Sequence, residues 1–436
     1  MGFQKDFLWG AASAAHQIEG AYLDDGKGLS IWDALIDGKV AYGENARIAC
    51  DHYHRYLEDV SIMKSLGLKS YRFSVSWARI FPDNSGVINE KGLEFYRNLV
   101  DELTRAGIEP MCTLYHWDLP MWLHDAGGWA NEEIIFHFAR YAEIVVNALS
   151  DKVRYWFTFN EPQCFVYNGY VCGGHAPFLT ESRQTVEAVT RNVMLAHGRA
   201  VQKIKEISKL PPLVGFAPTA DVYIPASNSP EAIEIAKEAT YGIADPRFTR
   251  WWSDPIVLGQ RPDGMDFLSD EDLAIIHQPL DFYAYNVYTA ADCNPDHTVS
   301  EGRIYEGMPR TTMDWAIEPE CLYWSARFLH ERYKLPILVA ENGMANVDFV
   351  MRDGKVHDPQ RTEFLIRYLR ALKKAAGEGI PVIGYQYWSL MDNFEWTCGF
   401  CKRFGLIYVD YCTGERTVKD SAYDYAEIIR TNGDSL

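Results

Sequence analysis

The chain has 436 residues, of which 47% are hydrophobic, enough for one large α/β barrel or for two to three ordinary domains. Its formal net charge of -18 disfavours nucleic acid and anionic membranes as partners, because both require basic surface patches. The same charge disfavours a phosphorylated or strongly acidic substrate, although a local basic pocket would override that effect.

The N-terminal residues and the cysteine content bear on where in the cell the protein is expected to be. Residues 1–6 contain no long apolar segment, and no run of about 18 apolar residues occurs, so the sequence predicts neither a signal peptide nor a membrane span. The nine cysteines are scattered and odd in number, which argues against a disulfide framework. A reducing cytoplasm is the location that this pattern favours.

Short apolar segments alternate with amphipathic segments along the chain. The apolar segments, predicted as strands, are Phe7–Ala12, Ser70–Val75, Glu109–Leu114, Val153–Phe159, Leu213–Ala217, Phe282–Asn286, Ile337–Ala340 and Pro381–Tyr387. The amphipathic segments, predicted as helices, include Asp51–Leu66, Gly92–Ala106, Asn131–Leu149, Thr185–Ile207 and Pro359–Ala376. Eight strands alternating with helices predict an α/β fold, a (β/α)8 TIM barrel.

The chain is longer than such a barrel needs. A minimal barrel takes roughly 250 residues, so much of the remainder is expected to be insertion. Polar segments rich in glycine and proline follow the strands at Gly26–Arg47, Ala220–Pro230, Ala290–Asp314 and Asn342–Gln360. We expect these long loops at the C-terminal rim, where barrels of this kind hold their sites. No linker, repeat or low-complexity tract interrupts the sequence, so residues 1–436 are predicted to form a single domain.

Two glutamates follow apolar strands in the same way. Thr158-Phe159-Asn160-Glu161-Pro162 ends one strand, since Pro162 cannot donate to a sheet ladder. Leu338-Val339-Ala340-Glu341-Asn342-Gly343 repeats the pattern later in the chain. A glycosidic bond needs a proton on its leaving oxygen and a group that meets positive charge at the anomeric carbon, and two carboxyl groups supply both. The alternative is that each glutamate forms a structural ion pair.

These two motifs resemble the acid/base and nucleophile motifs of family 1 glycoside hydrolases, the β-glucosidase family. The resemblance extends along the whole chain, and the number and order of the matching segments make it specific. The other matching segments are Phe7-Leu8-Trp9-Gly10-Ala11-Ala12-Ser13-Ala14-Ala15-His16-Gln17-Ile18-Glu19-Gly20, Tyr71-Arg72-Phe73-Ser74-Val75-Ser76-Trp77, Tyr115-His116-Trp117-Asp118-Leu119-Pro120, Gly174-His175-Ala176-Pro177, Tyr387-Trp388-Ser389-Leu390-Met391-Asp392-Asn393-Phe394-Glu395-Trp396 and Arg403-Phe404-Gly405-Leu406.

The resemblance implies a retaining, double-displacement mechanism. Glu341 would be the nucleophile and Glu161 the acid/base, with carboxyl groups about 5–5.5 Å apart. Arg72 and Tyr288 would lower the pKa of Glu341, whereas burial and Glu341 itself would raise that of Glu161. The usual Asn-Tyr-Tyr run of the family reads Asn286-Val287-Tyr288 in this chain, which keeps the two outer residues. An ordinary salt bridge for Arg72 and core packing for Tyr288 are the alternatives.

The resemblance also implies a sugar-binding site. The residues that match donors and acceptors for the sugar hydroxyls are Gln17, His116, Asn160, Glu395 and Trp396. Trp388 matches the platform under the pyranose ring, although a core aromatic is the alternative, and Trp315 matches the shelf for the leaving group. Glu395 would accept two hydroxyls and repel a 6-phosphate, which favours a non-phosphorylated sugar. Gln163 follows the Asn-Glu-Pro triplet, where the family usually has tryptophan. The family's preference for particular leaving groups is therefore the property that the resemblance implies least firmly for this chain.

No cofactor or metal is expected. The sequence has no glycine-rich phosphate loop and no HExxH-type motif. Cys398-Gly399-Phe400-Cys401 has the spacing of a redox motif, but its predicted position in a loop favours two free thiols near the cleft. Asp51-His52-Tyr53-His54 is interpreted as structural.

The predicted function is that of a retaining β-glucosidase acting on small β-glucosides or cello-oligosaccharides, with β-galactosides or β-fucosides as further substrates. A role in cellulose degradation would follow. One alternative function is that of a non-catalytic sugar-binding relative, but such proteins typically lack one of the two glutamates and this chain has both. A second alternative is transglycosylation, which uses the same residues, so the sequence does not separate it from hydrolysis. The oligomeric state stays open, a homo-oligomer included.

Overall fold

The protein is built around eight parallel strands. The computed structural model describes residues 2–243, 245–293, 299–300 and 307–436. The strands are β1 (Leu8–Ala12), β2 (Ser70–Ser74), β3 (Glu109–Tyr115), β4 (Tyr155–Asn160), β5 (Leu213–Ala217), β6 (Tyr283–Asn286), β7 (Ile337–Asn342) and β8 (Val382–Trp388). They pair in the order β5-β4-β3-β2-β1-β8-β7-β6.

The two ends of this sheet meet. The backbone N–H of Asn286 donates to the carbonyl of Pro218, and that of Ala220 donates to the carbonyl of Asn286, each at 2.9 Å. These bonds join β6 to the segment after β5 and nearly close the barrel. The predicted (β/α)8 fold is confirmed.

Helices surround the barrel. The longer ones span His52–Ser65, Glu90–Ala106, Ile134–Leu149, Arg183–Ile207, Pro230–Tyr241, Glu320–Tyr333, Pro359–Gly377 and Asp420–Arg430. Short α-helices span Ala15–Ile18, Ile31–Ala34, Trp77–Ile80, Met121–Asp125, Pro162–Val166, Thr249–Ser253 and Asp270–Ile276. Turns of 3-10 helix occur at Asp24–Gly26, Ala41–Gly43, Gly128–Ala130 and Trp396–Cys398, and π-helical turns at Tyr167–Val171 and Asp254–Leu258.

The helix Glu90–Ala106 shows why these segments are helical. Its buried side chains include Leu93, Tyr96 and Val100, spaced three or four residues apart, so one face packs on the barrel. The helix ends at Gly107, whose φ of 78° places it in the left-handed region that glycine adopts without steric cost. Both the helical spacing of the apolar residues and the glycine at the end of the helix are visible in the sequence.

The sequence located all eight strands, but some boundaries and rim elements differ. Strand β7 continues through Glu341 to Asn342, whereas the prediction ended it at Ala340. The predicted loop Ala220–Pro230 contains the strand Val222–Pro225, which pairs with Ala290–Cys293. The latter strand also pairs with Val299–Ser300. Residues 294–298 and 301–306 of the predicted loop Ala290–Asp314 lie outside the described residues.

The interior of the barrel is apolar below its C-terminal end. A cluster of fully or almost fully buried side chains fills it: Met111, Phe157, Ala217, Phe282, Ala284, Leu338 and Ala340. The guanidinium of Arg72 lies over the ring of Phe157, 4.9 Å from its centroid. A packed floor of this kind holds the polar residues above it in fixed positions.

Strand register brings the C-terminal strand ends to one level. Ala12 pairs with both Arg72 and Trp388, and Glu341 pairs with Asn286. In the described part of the chain, no helix is both long and apolar enough to span a bilayer.

Candidate active site

Glu161 lies just beyond β4 in an uncommon backbone conformation. Its φ of 43° and ψ of 66° are left-handed, which a residue with a Cβ adopts only at a cost. Its N–H donates to the carbonyl of Ala217 at 2.7 Å, and the helix Pro162–Val166 begins at the next residue. This tight turn directs the buried carboxyl into the barrel mouth, where Oε1 accepts a hydrogen bond from Asn286 Nδ2 at 2.8 Å.

Glu341 lies in β7 and is 3% exposed. Arg72 Nη1 donates to its Oε1 at 2.7 Å, and the Tyr288 hydroxyl donates to its Oε2 at 2.7 Å. Both partners are fixed by barrel strands, since Arg72 is in β2 and Tyr288 follows β6, the neighbour of β7. The ion pair that was the alternative for Arg72 therefore exists, but it engages a carboxylate at the mouth of the barrel.

Asn160 links the two glutamates through a shared polar network. Its Oδ1 accepts from Arg72 Nη2 at 2.7 Å and from Asn286 Nδ2 at 3.0 Å. Asn286 bonds Glu161, and its side chain is also near enough to Glu341 to affect that carboxyl group. Within the described residues, Glu161 itself forms no ion pair, so a structural ion pair explains only one of the two carboxyls.

Gln17 and His116 add polar groups beside this network. Gln17 Nε2 donates to Asn393 Oδ1 at 3.0 Å and to Glu395 Oε2 at 3.4 Å, while its buried Oε1 has no partner among the described residues. His116 Nε2 lies 3.1 Å from Asn160 Nδ2 and accepts its hydrogen, which places the ring proton on the unpartnered Nδ1. Burial and the charge of Arg72 lower the pKa of His116, so the ring is neutral. Buried unpartnered groups of this kind suit a hydroxylated ligand.

Most of the predicted residues line one cavity of about 290 Å³. Those that line it are His116, Asn160, Glu161, Tyr288, Trp315, Glu341, Trp388, Glu395 and Trp396. Gln17, Arg72 and Asn286 lie behind these residues and reach them through the hydrogen bonds described above. The ring of His116 is stacked with the rings of Trp388 and Trp396, with centroids 5.8 Å and 6.1 Å apart, respectively. The structure thus brings together the twelve residues that the sequence proposed for catalysis and sugar binding.

Comparison with known proteins gives a family. The model for glycosyl hydrolase family 1 matches residues 1–434. The chain belongs to glycosyl hydrolase family 1. It is 42% identical to beta-glucosidase A of Acetivibrio thermocellus, with 99% of each chain covered. It is 37% identical to an aryl-phospho-beta-D-glucosidase of Bacillus subtilis, with 100% of this chain and 98% of that protein covered.

Solved structures agree. A beta-glucosidase from Thermotoga maritima, solved in complex with glucoimidazole, superposes with a TM-score of 0.90 at 38% identity, and 99% of each chain is covered. The family resemblance stated from the sequence is therefore confirmed.

The two glutamates of this family 1 chain have different electrostatic environments. Burial, followed by the negative charge of Glu341, raises the pKa of Glu161 to about 7, against opposing hydrogen bonds from Asn286 and Cys164. Burial also raises the pKa of Glu341, while the charge of Arg72 and the hydrogen bond from Tyr288 oppose it. The prediction of a lowered pKa for Glu341 was wrong in its net direction, because desolvation exceeds the two effects on which it rested.

Glu395 has an environment that the sequence did not indicate. Burial, then the charges of Glu341 and Glu161, raises its pKa to about 8, although hydrogen bonds from Gln17 and Trp388 oppose the shift. Its carboxyl group is therefore largely protonated at neutral pH and can donate as well as accept. The sequence had treated it as a simple carboxylate, because the extent to which the fold buries these three carboxyl groups is visible only in the structure.

Sequence reasoning missed three supporting residues. Trp117, with a φ of 80°, donates from Nε1 to the carbonyl of Asn160 at 3.0 Å. Asn393 accepts from Gln17 and donates to Ser389 Oγ at 2.7 Å. The thiol of Cys164 lies close enough to Glu161 to oppose the rise in its pKa. The first two lie inside the quoted motifs, which was the available signal, whereas the sequence placed Cys164 only on the leaving-group side.

The weaker motifs form no metal site in the described residues. His52 Nδ1 is 2.7 Å from Asp59 Oδ2, and His54 Nδ1 is 2.6 Å from Asp51 Oδ1. Cys398 ends the 3-10 turn that follows Glu395 and lines the cavity, and Cys401 lies three residues further along the chain.

Proposed function

We propose that this family 1 glycosyl hydrolase is a retaining β-glucosidase, which removes terminal non-reducing β-D-glucosyl residues by double displacement. The observation that supports this most is that two buried glutamates in one hydrogen-bond network have different electrostatic environments. Among the described residues, Glu341 contacts a cation, whereas Glu161 contacts none and has its pKa raised to about 7. One carboxyl group is thus suited to attack as an anion and the other to hold a proton at neutral pH.

The reaction then has two steps. The Glu341 carboxylate bonds to the anomeric carbon as the bond to the leaving oxygen breaks, and Glu161 gives that oxygen its proton. The ionised Glu161 next takes a proton from water, whose oxygen attacks the anomeric carbon and displaces Glu341. Glu161 returns to the protonated form and β-glucose leaves.

The neighbours of Glu341 position it and stabilise its charge. Arg72 holds one oxygen and Tyr288 the other, so the carboxylate has a fixed orientation. Asn286 donates to Glu161 and holds it beside the network. These contacts support the proposed assignment of Arg72, Tyr288 and Asn286 to the catalytic machinery.

The sugar itself would be held by polar groups and by a flat ring. The proposed hydroxyl partners are Gln17, His116, Asn160, Glu395 and Trp396. Trp388 would lie under the pyranose ring and Trp315 beside the leaving group. Each buried hydroxyl partner adds selectivity, because an analogue that lacks the hydroxyl leaves that partner unsatisfied.

We extend the proposal to the whole chain and its setting. Residues 1–436 would act as one catalytic domain on small β-glucosides and cello-oligosaccharides, which places the protein in cellulose degradation. β-Galactosides and β-fucosides would be weaker substrates. A cytoplasmic location is supported by the eight cysteines whose side chains are described, all free thiols, of which Cys172, Cys401 and Cys412 are exposed. Homo-oligomers stay compatible with this function.

The function is tested by kcat/KM for nitrophenyl β-glycosides and for cellobiose. We expect the β-glucoside to be hydrolysed fastest, with measurable rates on the β-galactoside and β-fucoside. A purified, folded protein that hydrolyses none of the β-glycosides would contradict the proposal.

The pH dependence should follow from Glu161. Only its protonated form can donate to the leaving oxygen, so kcat/KM should fall about tenfold per pH unit above its pKa of about 7. Glu161→Gln, which cannot titrate, should remove this alkaline limb from the residual hydrolysis of an activated aryl glucoside. An unchanged limb in that variant would assign the titration to another group.

A 6-phosphate on the sugar should reduce activity strongly. Among the described residues that line the cavity, none is a lysine or an arginine, and three are glutamates: Glu161, Glu341 and Glu395. A phosphate dianion would enter this desolvated cavity without a cationic partner and beside the charge of Glu341, so we expect kcat/KM for nitrophenyl β-glucoside to exceed that of its 6-phosphate by at least about 100-fold. Equal values would show that an unrecognised cationic group binds the phosphate.

A further inference from the structure

A row of buried charged side chains lies outside the cavity that holds the two glutamates. Carboxylates and cations alternate along it, in the order Asp358, Arg361, Asp348, Lys419, Asp392 and Arg403. All of these side chains except that of Arg403 are fully or almost fully buried. Because burying paired charges often stabilises a fold no better than apolar side chains would, stability alone is a weak explanation for this row.

Lys419 joins the two halves of the row. Its Nζ donates to Asp348 Oδ2 and to Asp392 Oδ1, each at 2.6 Å. Asp348 lies in the segment after β7, Asp392 lies in the segment after β8, and Lys419 immediately precedes the helix Asp420–Arg430. The backbone N–H of Lys419 also donates to the carbonyl of Leu406 at 3.0 Å. One ammonium group therefore ties two segments of the C-terminal rim to the last helix.

Asp392 closes the base of a loop that we call the β8 loop, residues 392–405. Its Oδ2 accepts from Arg403 Nη1 at 2.7 Å, and its Oδ1 accepts from the backbone N–H of Gly405 at 3.0 Å. Its own N–H donates to the carbonyl of Ile407 at 2.9 Å. The carboxylate of Asp392 thus fixes both ends of the β8 loop, and Lys419 fixes that carboxylate.

The β8 loop carries part of the proposed sugar-binding site. Glu395 and Trp396 line the cavity. Gln17 Nε2 donates to Asn393 Oδ1 at 3.0 Å and to the carbonyl of Phe394 at 2.8 Å. A displaced loop base would therefore move the Glu395 carboxyl group relative to the sugar. Because a shift of about 1 Å in a positioning group can lower a rate about 100-fold, the placement of this loop is a functional property.

We propose that Lys419 is a positioning residue that sets the selectivity of the site for a sugar with a hydroxyl group at C6. It acts through Asp392 and the β8 loop on Glu395. The inference rests on the proposed function, in which Glu395 binds hydroxyls at the C6 end of glucose. Lys419 is not among the described residues that line the cavity, so its effect on the sugar is indirect.

Two substrates that differ by one hydroxyl test this role. Lys419→Met keeps an apolar stem and removes the charge. It should lower kcat/KM for nitrophenyl β-glucoside about tenfold, the scale of losing a hydrogen bond to a charged group. The value for the 6-deoxy analogue, which lacks the hydroxyl in question, should fall less than about threefold, so the ratio of the two values should fall at least about threefold.

A second variant keeps the test valid if Lys419→Met does not fold. Lys419→Met combined with Asp348→Asn removes one charge of each sign, so the remaining buried cations and carboxylates stay balanced. The contact between Lys419 and Asp392 is still lost. This double variant should therefore lower the ratio of kcat/KM for the two substrates as the single variant does.

Arg332→Met is the matched control, because it breaks a different buried ion pair. Arg332 Nε donates to Asp254 Oδ1 at 2.9 Å. Arg332 lies at the end of the helix Glu320–Tyr333, just before β7 begins, and so at the opposite end of the barrel from the cavity. Like Lys419→Met, it should lower the midpoint of thermal unfolding, but it should leave the ratio of kcat/KM for the two substrates unchanged.

Three results would overturn the inference. Equal losses on both substrates in the folded Lys419 variants would assign Lys419 to stability alone. The same fall of the ratio in Arg332→Met would show that general loosening of the fold changes selectivity. A wild-type protein that does not distinguish the two substrates would show that the C6 hydroxyl is not bound. Each of these leaves the proposed function intact, whereas a wild-type protein that hydrolyses no β-glycoside would defeat that function itself.

Discussion

Glu341→Ala is expected to lower kcat/KM by roughly 10⁴-fold or more on every β-glucoside, with good and poor leaving groups affected alike. The reason is that this substitution removes the atom that bonds to the anomeric carbon, which no other group in the cavity is placed to replace. Steady-state kinetics on nitrophenyl β-glucoside and cellobiose, with highly purified variant, measure the effect.

The fold of this variant needs its own control, because Arg72 loses a buried anionic partner. Glu341→Gln keeps the shape and should also be inactive, and circular dichroism should show native secondary structure. Glu427→Ala removes a surface carboxylate that pairs with Arg430 on the last helix, and it should retain full activity. Substantial turnover by both folded Glu341 variants would rule out the nucleophilic role.

Glu161→Ala is expected to separate substrates by their leaving groups. The kcat/KM for cellobiose should fall about 10³-fold, because its leaving alkoxide needs a proton as the bond breaks. A dinitrophenyl leaving group needs little protonation, so its kcat/KM should fall less than about tenfold. A series of aryl glucosides of increasing leaving-group pKa, measured for both proteins, gives the comparison.

Azide provides the control for this second variant. It attacks the glycosyl-enzyme without a general base, so adding azide should restore turnover of the dinitrophenyl substrate and yield β-glucosyl azide. Equal losses across the leaving-group series, without restoration by azide, would contradict the acid/base assignment and would indicate that Glu161 is structural.

The barrel could be predicted because its signals are local. Each strand is a short apolar run, and helices such as Glu90–Ala106 show apolar residues at helical spacing before a glycine. The small rim sheet could not be predicted in this way. Val222–Pro225 pairs with Ala290–Cys293, far along the chain, and neither segment has a distinct apolar pattern of its own.

The candidate site residues could be proposed from motifs, and the raised pKa of Glu161 could be predicted from its expected burial beside Glu341. The net pKa shifts of Glu341 and Glu395 could not be predicted in this way. The pKa values of Glu341 and Glu395 depend on how completely the barrel excludes water and on which carboxyls share one cavity. The left-handed φ of Glu161 likewise arises from the junction of β4 and the following helix.

The configuration of the first product tests the central claim most directly. Two displacements at one carbon, by Glu341 and then by water, must return the original stereochemistry. Proton NMR of the early reaction with an aryl β-glucoside, recorded before mutarotation, should show β-glucose as the first sugar released. Release of α-glucose first would mean a single displacement by water, and Glu341 could not then be the nucleophile.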